Sequence, residues 1–304
     1  MVLASGFRAL LCAFAQIFLQ QRPGFGLAVL LALLVGAPNL LGDALLGALA
    51  GNLVAQRRGY AQADIDSGLY GYNGALIGLL LSLKLAWVPL LPLLVVTLAG
   101  LSSLLLRPWL QAVRERHWLP AYTLPFVLCG WALPGLAALL DLHPAAPLQP
   151  AAPLISVGWQ AFVEGTLRGL GQVIFLDHSL AGLCLLVGLY LNAPRGASWA
   201  LCAAALPPAL TLLAEQPAGA ASSGLLGYNP VLAVLAISQL YRRPWAPLAA
   251  LLLSLALQPG FAALGLAPLT MPFILACWLV LAGSRLLRHA AADCAPLPES
   301  RRIS

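Results

Sequence analysis

Charged side chains are scarce in this chain. Only 26 of its 304 residues, or 9%, are Asp, Glu, Lys or Arg, whereas a typical soluble domain has about 25%. So few charges cannot cover the surface of a 31.8 kDa globule in water, and the mean hydropathy is +0.89. The composition argues against a soluble enzyme, a nucleic-acid-binding protein, a secreted disulfide scaffold and a disordered chain. It predicts an integral membrane protein.

Long windows without a charged residue indicate where the membrane segments lie. They cover residues 85–106, 117–140, 142–163 and 244–284. About 20 apolar residues span a bilayer as a helix, so the windows predict an all-α protein that crosses the membrane many times.

Motifs for metal binding or redox chemistry are also missing from the sequence. The six cysteines are scattered, and no pair has the spacing of a metal or disulfide-exchange site. Asp64 and Asp66 could form a metal-binding pair in a membrane enzyme, but no second acidic cluster accompanies them. We therefore predict no enzyme activity, no catalytic residue, no metal and no cofactor.

The two halves of the chain share short blocks at a constant spacing. Gln-Ile-Phe-Leu at 16–19 returns 156 positions later as Gln-Val-Ile-Phe at 172–175. Gly-Tyr-Asn at 71–73 returns at the same spacing, at 227–229. The alignment needs no gap over about 60 residues, which indicates an internal duplication.

A third block returns at a shorter spacing. Leu-Pro-Ala-Tyr-Thr-Leu-Pro-Phe at 119–126 matches Leu-Ala-Pro-Leu-Thr-Met-Pro-Phe at 266–273, 147 positions later. The second copy is therefore shorter than the first before this block. The duplication predicts a membrane repeat at 1–145, a linker at 146–154, and a second membrane repeat at 155–304 that ends in a short basic tail.

Three polar positions recur in apolar surroundings, as the pairs Gln16 and Gln172, Asn73 and Asn229, and Thr123 and Thr270. None ionises near neutral pH, and polar side chains in membrane segments usually face the interior of the helix bundle. A path lined by amides and hydroxyls suits a small neutral polar solute and excludes ions, which would lose hydration without a counter-charge. The alternative, strongest for Asn73 and Asn229, is that these side chains join helices or cap broken helix ends.

An aromatic residue and a leucine recur four positions apart, as Tyr72 with Leu76 and as Tyr228 with Leu232. At helical spacing such a pattern is typical of core packing. The alternative is a flat slot in which a planar solute lies against the ring faces.

Together these blocks resemble the urea transporter family, and in particular its bacterial type. The family signature Leu-Pro-x-x-Thr-x-Pro-Phe stands at 119–126, a Gln-Val-x-Phe-like element lies near the start of each repeat, and a Gly-Leu-Tyr-Gly-Phe-Asn-Gly-like block lies at 68–74. The resemblance implies two inverted repeats, each of about five transmembrane helices and a half-spanning re-entrant helix. It also implies a multi-pass homotrimer in the cell (inner) membrane, with a pore in each protomer.

The function implied by the resemblance is channel-like, passive diffusion of urea through a neutral selectivity filter, with urea and the lipid bilayer as partners and no nucleic acid. The alternative is a channel for related neutral solutes such as short amides, methylurea or water. Carried over by position, the pore residues are Gln16, Ile17, Leu19, Tyr72, Leu76, Thr123, Gln172, Val173, Phe175, Tyr228, Leu232 and Thr270. The chain departs from the family at Leu19, Tyr72 and Tyr228, where the family commonly has Phe.

Overall fold

Helices joined by short turns make up the described part of the chain, which in the computed structural model is residues 2–146, 158–216 and 218–293. Within it the only strand-like pairing is an isolated bridge between Leu85 and Pro144. The predicted all-α fold is confirmed. The predicted linker, beyond its first residue, and the last eleven residues of the predicted basic tail lie outside the described residues.

The first half has seven α-helices and one 3-10 turn. In chain order they are α1 Val2–Gln16, α2 Pro23–Gly36, the turn Pro38–Leu40, α3 Leu41–Arg57, α4 Gln62–Asp66, α5 Tyr72–Lys84, α6 Leu91–Arg116 and α7 Leu124–Leu139.

The described residues of the second half have the same kinds of element. They are α8 Gly158–Gly171, the 3-10 turn Gln172–Ile174, α9 Ser179–Asn192, α10 Pro194–Leu213, α11 Ala218–Ser222, α12 Tyr228–Leu240, α13 Trp245–Ala263 and α14 Met271–Asp293. Helices α2, α4 and α5 begin and end 156 positions before α9, α11 and α12, and α7 begins 147 positions before α14. The helix bounds therefore follow both spacings found in the sequence.

Few of the described helices are long enough to cross a bilayer alone. Helices α6 and α10 are long and apolar enough, and α8 with its 3-10 turn forms a third candidate together with α9, across a bend of 77°. Several other apolar helices, among them α2, α7 and α12, have 10–17 residues. Helices of this length suit half-spans or broken spans better than straight crossings.

The two halves contact each other along α2 and α9 and again between α7 and α14. At the first contact a Cβ on Gly188 would lie 2.5 Å from the Cβ of Ala28 and 3.4 Å from the ring of Phe25. Small residues at this contact let two helix backbones approach closely, which is how helices commonly associate in membranes.

Matched glycines also allow close packing within each half. A Cβ on Gly26 would lie 1.8 Å from the carbonyl oxygen of Leu11, and a Cβ on Gly182 would lie 1.9 Å from that of Leu167. Both glycines stand at the same place in their repeats, where α2 crosses α1 and α9 crosses α8. No other residue type fits there without moving a backbone.

We expect Gly26→Ala to destabilise the protein, because the added methyl group overlaps the Leu11 carbonyl. Overpacking of this kind typically costs about 1–3 kcal/mol, which should appear as a lower apparent Tm of the purified protein in detergent. Gly42→Ala in α3 is the matched control, since its Cβ position has no described atom within 4 Å apart from its chain neighbours and the backbone of its own helix. Equal Tm values for the two variants would contradict the packing argument.

Candidate functional site

The two predicted filter threonines meet where the halves join. Thr123 immediately precedes α7 and Thr270 immediately precedes α14. Their Oγ1 atoms lie 2.7 Å apart and share a hydrogen bond, and the two side chains are only 3% and 4% exposed. Residues 147 positions apart in the chain thus form one buried, uncharged contact.

Two asparagines hold the helix ends on either side of this contact. The Oδ1 atom of Asn73 accepts a hydrogen bond from the backbone N–H of Phe126 at 3.2 Å, and that of Asn229 accepts one from Phe273 at 3.2 Å. These N–H groups belong to the first turns of α7 and α14, where a helix offers them no partner of its own. Of the two alternatives for Asn73 and Asn229, the capping role is the one visible in these contacts.

Two tryptophans cross from one half to the segment that carries the other half's threonine. The indole N–H of Trp131 in α7 donates to the carbonyl of Ala267 at 2.8 Å, and that of Trp278 in α14 donates to the carbonyl of Pro120 at 2.8 Å. Each half therefore fixes the segment that precedes the other half's threonine. Sequence reasoning missed this pair, although Trp131 and Trp278 stand at the same spacing of 147 as the threonines.

The hydrogen bonds next to the threonines differ between the halves. In the first half the Tyr72 hydroxyl donates to the carbonyl of Tyr122, and the Asn73 Nδ2 is buried with no partner among the described residues. In the second half the Asn229 Nδ2 donates to the equivalent carbonyl, that of Leu269, at 3.0 Å. The carbonyl before the threonine thus accepts a hydrogen bond from Tyr72 in the first half and from Asn229 in the second half.

Four residues of the site that are not glycine adopt the left-handed backbone conformation. They form two matched pairs, with φ of 47° at Tyr122 and 42° at Leu269, and 60° at Leu19 and 61° at Phe175. Such a conformation costs a residue with a side chain on the order of 1 kcal/mol. Its recurrence at equivalent positions indicates a backbone shape needed at this site, as strained residues cluster where function requires them.

The other predicted pore residues differ in burial. Ile17, Val173, Leu76 and Leu232 are buried in the core, and Leu19, Phe175, Gln172 and Tyr228 are half-buried. Phe175 lies near the site, with its ring centroid 6.1 Å from that of Phe126. Gln16 and Gln172 make no hydrogen bond to either threonine, and the buried Oε1 atom of Gln16 has no partner in the described residues.

We expect Asn229→Ala to lower stability more than Asn73→Ala does. The first variant loses two hydrogen bonds, one accepted from the Phe273 N–H and one donated to the Leu269 carbonyl, whereas the second loses only the bond accepted from the Phe126 N–H. One buried hydrogen bond contributes about 1 kcal/mol, so the free energies of unfolding should differ by about that amount. Asn192→Ala, which loses only a bond to its own helix at Gly188, is the control, and a reversed order of Asn73 and Asn229 would contradict the assignment.

Comparison with known proteins covers both halves. The urea transporter family model matches residues 7–285. Urea transporter 1 of Ovis aries is 25% identical over 287 residues, which is 88% of this chain and 74% of that protein, and the values for Urea transporter 1 of Capra hircus are the same. Urea transporter 1 of Rattus norvegicus is 24% identical over 238 residues, covering 75% of this chain and 61% of the relative. The chain belongs to the urea transporter family.

Proposed function

We propose that urea diffuses passively through this protein, down its gradient, along a neutral path between the two halves that passes Thr123 and Thr270. As a member of the urea transporter family the protein is a membrane transporter of urea, not an enzyme. The observation that carries the proposed path is the buried contact of the two threonines between the helix starts of α7 and α14.

The chemistry around this contact suits urea. Urea has four N–H donors and one carbonyl acceptor in a plane, so a path that strips its water must offer several acceptors and a flat space. The threonine hydroxyls supply acceptors, and the carbonyls of Tyr122 and Leu269 keep a second lone pair beside the hydrogen bond that each already accepts. The half-buried rings of Phe175 and Tyr228 supply apolar faces. Because none of the twelve proposed pore residues carries a charge, an ion would find no counter-charge there.

The path is closed at the threonines in this arrangement, since oxygen atoms 2.7 Å apart leave no room for a solute. A neutral hydrogen bond contributes only about 1 kcal/mol net. The N–H groups of urea can donate to both hydroxyl oxygens and so replace the bond that they break. We infer that urea passes by inserting between the two threonines.

The finer architecture is part of the same proposal. Two inverted repeats, 1–145 and 155–304, would each contribute about five transmembrane helices and one half-spanning helix, and α7 and α14 would begin in the middle of the membrane. The repeated helix bounds and the reciprocal tryptophan bonds support this arrangement. A homotrimer in the inner cell membrane, with one pore in each protomer, rests on the family resemblance.

We expect Thr123→Val and Thr270→Val each to lower urea flux, because valine keeps the size but removes the acceptor that receives urea. Loss of one hydrogen bond worth about 1 kcal/mol predicts a fall of about five-fold. The measurement is stopped-flow urea flux in proteoliposomes that contain equal amounts of protein. Thr97→Val is the control, since the Thr97 hydroxyl bonds only to carbonyls of its own helix, those of Leu93 and Leu94.

Urea flux at the wild-type level in both threonine variants would overturn the proposed path. The same proteoliposomes separate the alternative solutes, because methylurea, acetamide and water can each be measured in place of urea. Faster passage of one of these solutes than of urea would favour the channel for related neutral solutes. Urea flux that changed with membrane potential would argue against passive diffusion.

A further inference from the structure

A groove of about 400 Å³ lies at the start of the segment 117–123, which leads to Thr123. Its walls combine aromatic and cationic side chains. Its aromatic part consists of Trp109, Trp118 and Trp278, with the rings of Trp109 and Trp278 stacked at 6.0 Å. Its cationic part is the guanidinium groups of Arg116 and Arg285. We call it the Trp–Arg groove.

The two arginines of the groove have no carboxylate partner in the described part of the chain. Two of the other arginines there do have one, since Arg114 pairs with Asp64 at 2.6 Å and Arg168 with Glu164 at 3.6 Å. Arg285 uses one N–H group to bond the carbonyl of His117 at 2.6 Å. A guanidinium has five N–H donors in a planar fork, so most donors of this pair remain available to an anion.

The chemistry of the walls favours a phosphoryl group. Guanidinium forks bind phosphate oxygens in a bidentate manner, and a tetrahedral phosphoryl group offers enough oxygens for two forks at once. Tryptophans gather at the level of lipid headgroups, and basic pockets between membrane helices bind anionic headgroups. The groove has both features at one place.

The equivalent place in the other half has no such charge. Trp131 there packs against Phe261, with ring centroids 6.1 Å apart, as Trp278 packs against Trp109. The positions that match Arg116 and Arg285 at the spacing of 147 are Ala263 and Ala138. The two cations are therefore not needed to build the filter.

The walls of the groove also hold the segment that leads to Thr123. Arg285 donates to the carbonyl of His117, and the indole of Trp109 donates to that of Leu119 at 2.8 Å. Trp278 donates to the carbonyl of the next residue, Pro120, at 2.8 Å. An anion bound to Arg285 would thus contact a side chain that positions this segment.

We propose that the Trp–Arg groove binds a phosphoryl anion, from an anionic lipid headgroup or from free phosphate, and that binding steadies residues 117–123. Binding itself does not depend on the proposed transport path. Only an effect on urea flux would rest on it.

The test is isothermal titration calorimetry on the purified full chain in detergent. Three probes are used: inorganic phosphate, dihexanoyl phosphatidic acid and dihexanoyl phosphatidylcholine. We expect one phosphatidic acid site per protomer, and binding at least about ten-fold weaker in the double variant Arg116→Gln with Arg285→Gln, because charge-assisted hydrogen bonds are lost. The double variant Arg242→Gln with Arg243→Gln removes the same charge from an exposed loop and should bind as the wild type does. Arg116→Gln alone, which spares the bond to His117, serves if the first variant does not fold.

Each outcome decides between sources or against the groove. Binding of phosphatidic acid without phosphate identifies a lipid headgroup as the source, and binding of phosphate alone identifies the free anion. No binding of either probe, equal binding of phosphatidylcholine, or an equal loss in the control variant overturns the proposal. Hydrogen exchange should slow at residues 117–123 on binding and not at 264–270, and unchanged exchange at both would overturn the coupling.

The binding test and the transport test fail separately. A wild-type protein that binds phosphatidic acid but conducts no urea would contradict the proposed function and leave the groove intact. A protein that conducts urea but binds neither phosphoryl probe would contradict the groove proposal and leave the proposed function intact.

Discussion

Two helices that begin inside an apolar body create the constraint on which the site depends. The first N–H groups of α7 and α14 have no partner within their own helices, and hydrocarbon supplies none. Asn73 and Asn229 each satisfy one of these N–H groups, while Trp131 and Trp278 satisfy carbonyls of the segments that precede the helices. Once those bonds are made, the threonines at the two helix starts face each other across the junction.

Neutral side chains satisfy the backbone groups at these helix starts without burying a charge. A charge beside the threonines would need a buried counter-charge, which costs several kcal/mol per ion to desolvate and would hold the junction shut. Hydroxyls and amides instead form bonds of about 1 kcal/mol net, which a polar solute can replace. The ion pair of Arg114 with Asp64 lies on the short helix α4 and the last turn of α6, away from the threonines. The same neutral residues that let two helices begin in the interior therefore also suit the proposed passage of a neutral solute.

The sequence predicted the helical fold and the repeat spacing, because charge-free windows and repeated blocks depend on local composition. It also paired Thr123 with Thr270, since both stand at the fifth position of matching blocks. It left two alternatives for Asn73 and Asn229, because an amide that caps a helix and one that lines a path look alike in a sequence. The bonds of Trp278 to Pro120 and of Tyr72 to Tyr122 join residues 158 and 50 positions apart and depend on how helices pack. Arg116 and Arg285 line one groove for the same reason, because α6 and α14 come together there.

The repeats agree around the threonine contact and differ elsewhere. Around the threonines the asparagine and tryptophan bonds recur with the same distances. Elsewhere, the hydrogen bond from the Cys12 thiol to the carbonyl of Gln21 is replaced, 156 positions later, by an ion pair of Arg168 with Asp177 at 3.5 Å. Water and lipid headgroups can solvate a charged side chain near the membrane surface, but not one beside a buried helix start. The neutral contact at the threonines is therefore built alike by both copies, while charge differs between the copies elsewhere, as it does at the Trp–Arg groove.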